Sequence, residues 1–120
     1  MASQNGHVAV VQQLLASDAA VDQADNNERT PLFMASKNGH VAVVQQLLAS
    51  DAAVDQVNNN KSSPLGMACA DGHVAVVKLL LAASADVTHK DKWGDTPLGE
   101  ATSNGHEDVA ELLRAAGATE

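Results

Sequence analysis

Aromatic residues are almost missing from this sequence: one Trp, one Phe and no Tyr in 120 residues. A wide core built on large rings is excluded, and the apolar content comes instead from Ala, Val and Leu, which suit thin layers packed in series. There is one cysteine, Cys69, so no internal disulfide can form; this fits a reducing, intracellular setting. No apolar run approaches the roughly 20 residues that a membrane-spanning helix needs. Basic residues are scarce, 7 against 15 acidic ones, for a net charge of −8. A phosphate backbone or an anionic bilayer surface would be repelled, which sets nucleic acid and membranes aside as partners. Glycine motifs that cradle phosphates are absent, and no basic patch with interleaved aromatics offers a track for single strands.

What is present is repetition. Gly-His occurs at Gly6-His7, Gly39-His40, Gly72-His73 and Gly105-His106, each step being 33 residues. A second marker keeps the same step: Thr30-Pro31-Leu32, Ser63-Pro64-Leu65 and Thr96-Pro97-Leu98. Two markers in one register mean a tandem array. Within a unit, Thr30 is placed to cap a helix whose first residue is Pro31, where a missing N–H is harmless. Leu32, Ala35 and Ser36 give that helix one narrow buried stripe. Asn38-Gly39 ends it, glycine supplying a left-handed residue. His40 opens a second helix carrying Val41, Val43, Val44, Leu47 and Leu48. This helix ends near Asp51, before a polar, hairpin-like stretch. Neither helix is long enough to persist alone, since isolated helices under ~12–15 residues are marginal in water. Each pair must lie against its neighbours, which is the physical reason for repetition.

These residues resemble the ankyrin repeat, most fully at Asp91, Gly94, Thr96-Pro97-Leu98, Ala101, Gly105-His106, Leu112-Leu113 and Gly117-Ala118. The resemblance implies an all-α solenoid of stacked helix–turn–helix units joined by short finger loops. The units are a partial repeat over 1–24, repeats over 25–57 and 58–90, and a C-terminal capping repeat over 91–120. Several departures weaken the pattern. The family's His after Pro-Leu, which ties neighbouring loops by hydrogen bonds, is Phe33, Gly66 and Gly99 here. The Gly before the closing Ala is Asp18, Asp51 and Ser84, and the finger-turn Gly is Glu28 and Lys61. If the slot before the closing Ala stays left-handed, a non-glycine side chain there costs about 1–2 kcal/mol, less for Asp. Gln13 and Gln46 stand where Leu79 and Leu112 do. The expectation is a modestly stable array, melting below ~90 °C.

The two ends differ. In the last unit Val41 and Val74 become Glu107, Ala42 and Ala75 become Asp108, and Leu48 and Leu81 become Arg114. That polarity is what a terminal cap requires. Residues 1–27 repeat residues 34–60 at all but three places, with Met1 aligned to Met34. Met1 leads directly into a repeat, so no secretory signal is expected, and the Thr-Pro-Leu start is missing from this unit. The expectation is a piece of a longer array; a frayed complete start, or association through the uncapped face of Val8, Val11 and Leu15, are the alternatives.

Constellations that could carry chemistry read as structural. Zinc needs ligands converging at about 2.0–2.1 Å, whereas His7, His40, His73 and His106 fall one per layer. Each is expected to start its second helix and satisfy local backbone groups, with His89 simply exposed. His106, Glu107 and Asp108 are helix neighbours that point apart. Cys69 takes the small buried slot of Ser36 and Thr102, a core thiol. Glu100, in place of Met34 and Met67, reads as a solvent-facing cap residue. No enzyme, metal or cofactor is indicated.

Carried onto this chain, the concave face that ankyrin arrays use for binding comprises the finger tips Asn26, Asn27, Arg29, Asn59, Asn60, Ser62, Lys92, Trp93 and Asp95. The ends of the first helices complete it: Lys37, Asn38, Ala70, Asp71, Ser103 and Asn104. These slots differ most between units, while the packing slots recur. Trp93 is the sharpest of them, either a binding anchor or a ring folded back over Pro97 and Leu98. The expected function is non-catalytic protein–protein interaction by an intracellular, cytoplasmic, monomeric module. A structural or self-associating stack and an accessory domain of a larger enzyme or channel are the alternatives.

Overall fold

The computed structural model describes residue 24 and residues 28–118. Among the described residues there are six helices and no strand: α1 (Pro31–Asn38), α2 (Val41–Ala49), α3 (Pro64–Ala70), α4 (Val74–Ala82), α5 (Pro97–Ser103) and α6 (Glu107–Ala115). None is long and apolar enough to cross a membrane. The helices form three hairpins. α3 packs between α1 and α5 in one layer, and α4 packs between α2 and α6 in the other. The expected ladder of successive units is the observed architecture.

Each hairpin follows from local chemistry. The hydroxyls of Thr30, Ser63 and Thr96 accept the amides of Phe33, Gly66 and Gly99 at 3.1, 3.0 and 3.1 Å, and a proline holds the first helical position each time. At the other end Gly39, Gly72 and Gly105 are left-handed. The next amide, of His40, His73 or His106, then reaches back to Ala35, Ala68 or Ala101 at 2.8–2.9 Å, satisfying a carbonyl the helix would otherwise orphan. The core is one continuous stripe of Leu, Val and Ala from all three hairpins. Leu32, Leu65 and Leu98 line the first layer; Val44, Leu47, Val77, Leu80, Val109 and Leu113 line the second. Cys69 is wholly buried among them, and burial pushes its thiol up to about 12, which removes it as a nucleophile near neutral pH.

The Gly-His pair does more than the sequence indicates. Its histidines hold the N-cap positions of α2, α4 and α6, but their side chains accept no capping hydrogen bond from their own helices. Instead, His73 Nε2 donates to the carbonyl of Lys37 at 2.9 Å, and His106 Nε2 to that of Ala70 at 3.2 Å, each 36 residues back. The ring lies over the glycine of the preceding unit: a Cβ on Gly39 would come within 2.7 Å of His73, and one on Gly72 within 2.7 Å of His106. Glycine is thus required twice at these sites, for its φ and for the ring above it. Gly105, with no described unit above it, has nothing within 4 Å. The expected purely local role is therefore corrected for His73 and His106: they clamp one layer to the next.

The departures from the family pattern have visible costs. Glu28, Asp51, Lys61 and Ser84 all hold positive φ, between 59° and 66°, as the slot demands. Gln46 keeps a buried Oε1 without a partner, as does the Ser36 hydroxyl; unpaired buried polar atoms cost about 1–3 kcal/mol. In the last unit Glu107, Asp108 and Arg114 are all exposed, and the acids in the first turn of α6 with Arg114 in its last complement the helix dipole. The Arg114–Glu107 pair at 3.8 Å is too exposed to add much.

Candidate partner-binding face

Two fingers project from the described units, and one backbone device builds both. In residues 58–62 the Asn58 amide donates to the Ser62 carbonyl at 3.1 Å, and Asn58 Oδ1 accepts the amides of Asn60 and Ser62 at 2.9 and 3.0 Å. In residues 91–95 Asp91 does the same: its amide donates to Asp95 at 3.0 Å, and its Oδ1 accepts from Trp93 and Asp95, both at 2.9 Å. The first side chain thus pins the loop, and the fourth residue, Lys61 or Gly94, turns it at positive φ. The second and third residues are left to point outward.

The fingers are zipped to each other. The Lys92 amide donates to the Asn60 carbonyl at 3.0 Å, and His89 Nε2 donates to the Lys61 carbonyl. Further down, the Asp86 amide donates to Asp55 Oδ1 at 2.9 Å. The expectation that His89 is merely exposed is corrected: it is half-buried and ties one finger to the next. With fingers and first helices fixed, their inner face carries two adjoining grooves. A wide, open one of about 480 Å³ lies among Arg29, Phe33, Lys37, Asn58, Asn59, Asn60, Ser62, Met67 and Trp93. A narrower cleft of about 190 Å³ lies among Ser62, Met67, Ala70, His89, Asp91, Trp93, Asp95, Pro97 and Glu100.

Trp93 borders both grooves and is 63% exposed, and no other large apolar side chain among the described residues is classed as exposed. It does not fold back as a cover: Pro97 and Leu98 are buried while the indole stays open to solvent. Lys92 Nζ sits 4.9 Å from the ring centroid, a cation–π contact. Of the other sequence candidates, Arg29, Lys37, Asn59, Asn60, Ser62 and Asp95 border the grooves with it. Asn38, Asp71, Ser103 and Asn104 are exposed at the far ends of the first helices, and Asn104 is engaged with the Glu100 carbonyl at 2.8 Å. Asn26 and Asn27 lie outside the described residues.

Sequence reasoning missed Phe33, Met67 and Glu100. Glu100 is the correction of consequence: it does not face solvent as an outer cap but borders the narrow cleft, half-buried. Its carboxyl can bring an oxygen within 4.8 Å of those of Asp91 and Asp95. Partial burial raises its pKa, and Asp95, Asp91 and Asp71 raise it further. The signal was available, because Met34, Met67 and Glu100 occupy one slot that varies between units. Chemically, the face offers apolar contact at Met67 and Trp93 over a buried Phe33, neutral hydrogen-bonding groups at the Asn and Ser tips, and a patch of negative charge at one end.

A family model described as Ankyrin repeats (3 copies) matches residues 1–91 and 43–119. No curated protein matches the chain. The matched stretches cover nearly every residue, and the capped helix pairs, glycine stops and projecting fingers are what those repeats are made of: this chain belongs to the ankyrin-repeat family, whose members generally serve as protein-interaction modules and are typically non-catalytic.

Proposed function

We propose that this chain is a non-catalytic module that holds a protein partner on the face formed by its fingers and first helices. One observation carries the reading. The Leu and Val slots that recur from unit to unit are buried in the shared core, while the varying slots Arg29, Lys37, Asn59, Asn60, Ser62 and Asp95 border the two grooves around an exposed Trp93. An exposed indole on a frame pinned by hydrogen bonds is a ready anchor, since rigid aromatic side chains dominate binding energy at interfaces. The excess of acid over base favours partners with a basic or mixed surface, steered by charge. The single cysteine, buried and inert, is consistent with work inside the cell, in the cytoplasm.

The test is to select binders from a displayed protein library against the chain and to map their footprint by amide exchange. Protection at the fingers and the first helices, lost in a Trp93/Arg29 double alanine variant and kept in a Lys78→Ala variant on α4, is the expected outcome. Footprints confined to α2, α4 and α6 would sink the reading.

A further inference from the structure

We infer that the narrow cleft between the two described fingers is a subsite for an arginine side chain presented by the partner protein, held between the Trp93 indole and the carboxylates of Asp95 and Glu100. This deepens the proposed function and rests on it. The cleft, at about 190 Å³, is below the 300–1,000 Å³ usual for small-molecule sites and suits one side chain inserted from an extended segment. One wall is the exposed face of Trp93. Glu100 from α5 and Asp95 line the same cleft.

The ionised groups acting on Glu100 are Asp95, Asp91 and Asp71, all carboxylates. Asp91 already gives one oxygen to two finger amides, and Glu100 and Asp95 lie close enough to share a hydrogen bond, so an incoming guanidinium would fork across that pair in place of the shared proton. Carboxyls crowded beside an aromatic face favour a cation. Arginine answers both demands, since its planar guanidinium stacks on an indole and forks to carboxylates, whereas a lysine ammonium is a hydrated point charge. The ring's attraction for cations is already visible in Lys92, 4.9 Å from its centroid, which makes Lys92 an internal competitor. Further along the inner face, the wide groove carries Arg29 and Lys37, so the basic part of the partner segment is directed to the Glu100 end.

Trp93 is the chain's one tryptophan, so its fluorescence and indole N–H resonance report the inner face with no second indole to confuse them, and the carboxylate variants assign the response to this cleft. The probes are blocked Gly-Arg-Gly and Gly-Gln-Gly tripeptides. The arginine peptide shifts the Trp93 signals saturably and the glutamine peptide does not. Glu100→Gln and Asp95→Asn each weaken the arginine response about two- to fivefold, the scale of a part-exposed ion pair, with helix content unchanged. Lys92→Ala tightens it. Equal responses to the two peptides, or an arginine response indifferent to both carboxylate variants, overturn the assignment. Selected protein binders that cover Trp93 without a basic residue against Glu100 also overturn it, yet leave the inner-face reading standing. Binders that protect only the outer helices remove both.

Discussion

The middle described unit and the last one are built on the same frame and differ at a few telling slots. Their fingers share one hydrogen-bonding pattern, pinned by Asn58 in one and Asp91 in the other. The middle finger turns on Lys61 at a φ of 59°, the last on Gly94 at 84°. Gly72 lies beneath the His106 ring, while Gly105 has nothing above it. Met67 in the middle unit faces the grooves where the last unit has Glu100. Frame and surface are therefore separable: backbone geometry is set by residues that recur or substitute at a cost, and recognition chemistry by residues the frame does not constrain.

The largest test of that comparison sets the two helix-stop glycines against each other. Gly72→Ala meets both a left-handed backbone and a ring 2.7 Å away, and should cost about 3 kcal/mol or more as strain and overpacking add. Gly105→Ala meets the backbone penalty alone and should cost about 1–2 kcal/mol. Denaturant titration of the two variants reads the difference directly; equal losses would mean that the histidine clamp contributes nothing. Next come the finger tips. Trp93→Ala should weaken a selected binder about tenfold or more with little change in melting temperature, whereas Asn60→Ala at the matching slot should change affinity far less. Parallel losses of folding stability would instead make Trp93 a structural residue.

A smaller effect separates the turns. Lys61→Gly should stabilise the fold by about 1 kcal/mol, because the residue is already left-handed and glycine removes the strain. Gly94→Lys should lose a similar amount. The smallest effect concerns Glu100. Its pKa lies above the ordinary value of 4.5 in the folded chain, so the fold binds the proton more tightly than the unfolded chain does. The stability this linkage gives is complete below pH 4.5 and is lost as pH rises through the folded pKa. Glu100→Gln should therefore raise the melting temperature slightly at neutral pH, and its advantage should fade on acidification. Met67→Gln, at the same slot, should give no such pH dependence.

Much of the fold was legible because it is local. Thr30, Ser63 and Thr96 before proline announce helix starts, and glycine after Asn38, Asp71 or Asn104 announces stops, since each signal acts within four or five residues. The left-handed demand at Asp51 and Ser84 was likewise readable by aligning units, because backbone stereochemistry is independent of what lies in the next layer. The face bearing Trp93 could be located by its variability. Glu100 and His89 could not be placed by the same means: whether a helix or loop residue turns toward the cleft depends on how adjacent fingers are zipped, through bonds such as Lys92 to Asn60 that span 32 residues. The same distance hid the reach of His73 and His106.

What the residues decided alone is the unit: two short helices, their caps, their stop and a pinned finger, each a matter of torsion angles and neighbouring hydrogen bonds. What stacking decided is everything between units, from the ring seated on the glycine below to three carboxylates gathered beside an open indole. Those arrangements need groups from separate turns of the ladder to share one space, and no local preference along the chain encodes where that space lies.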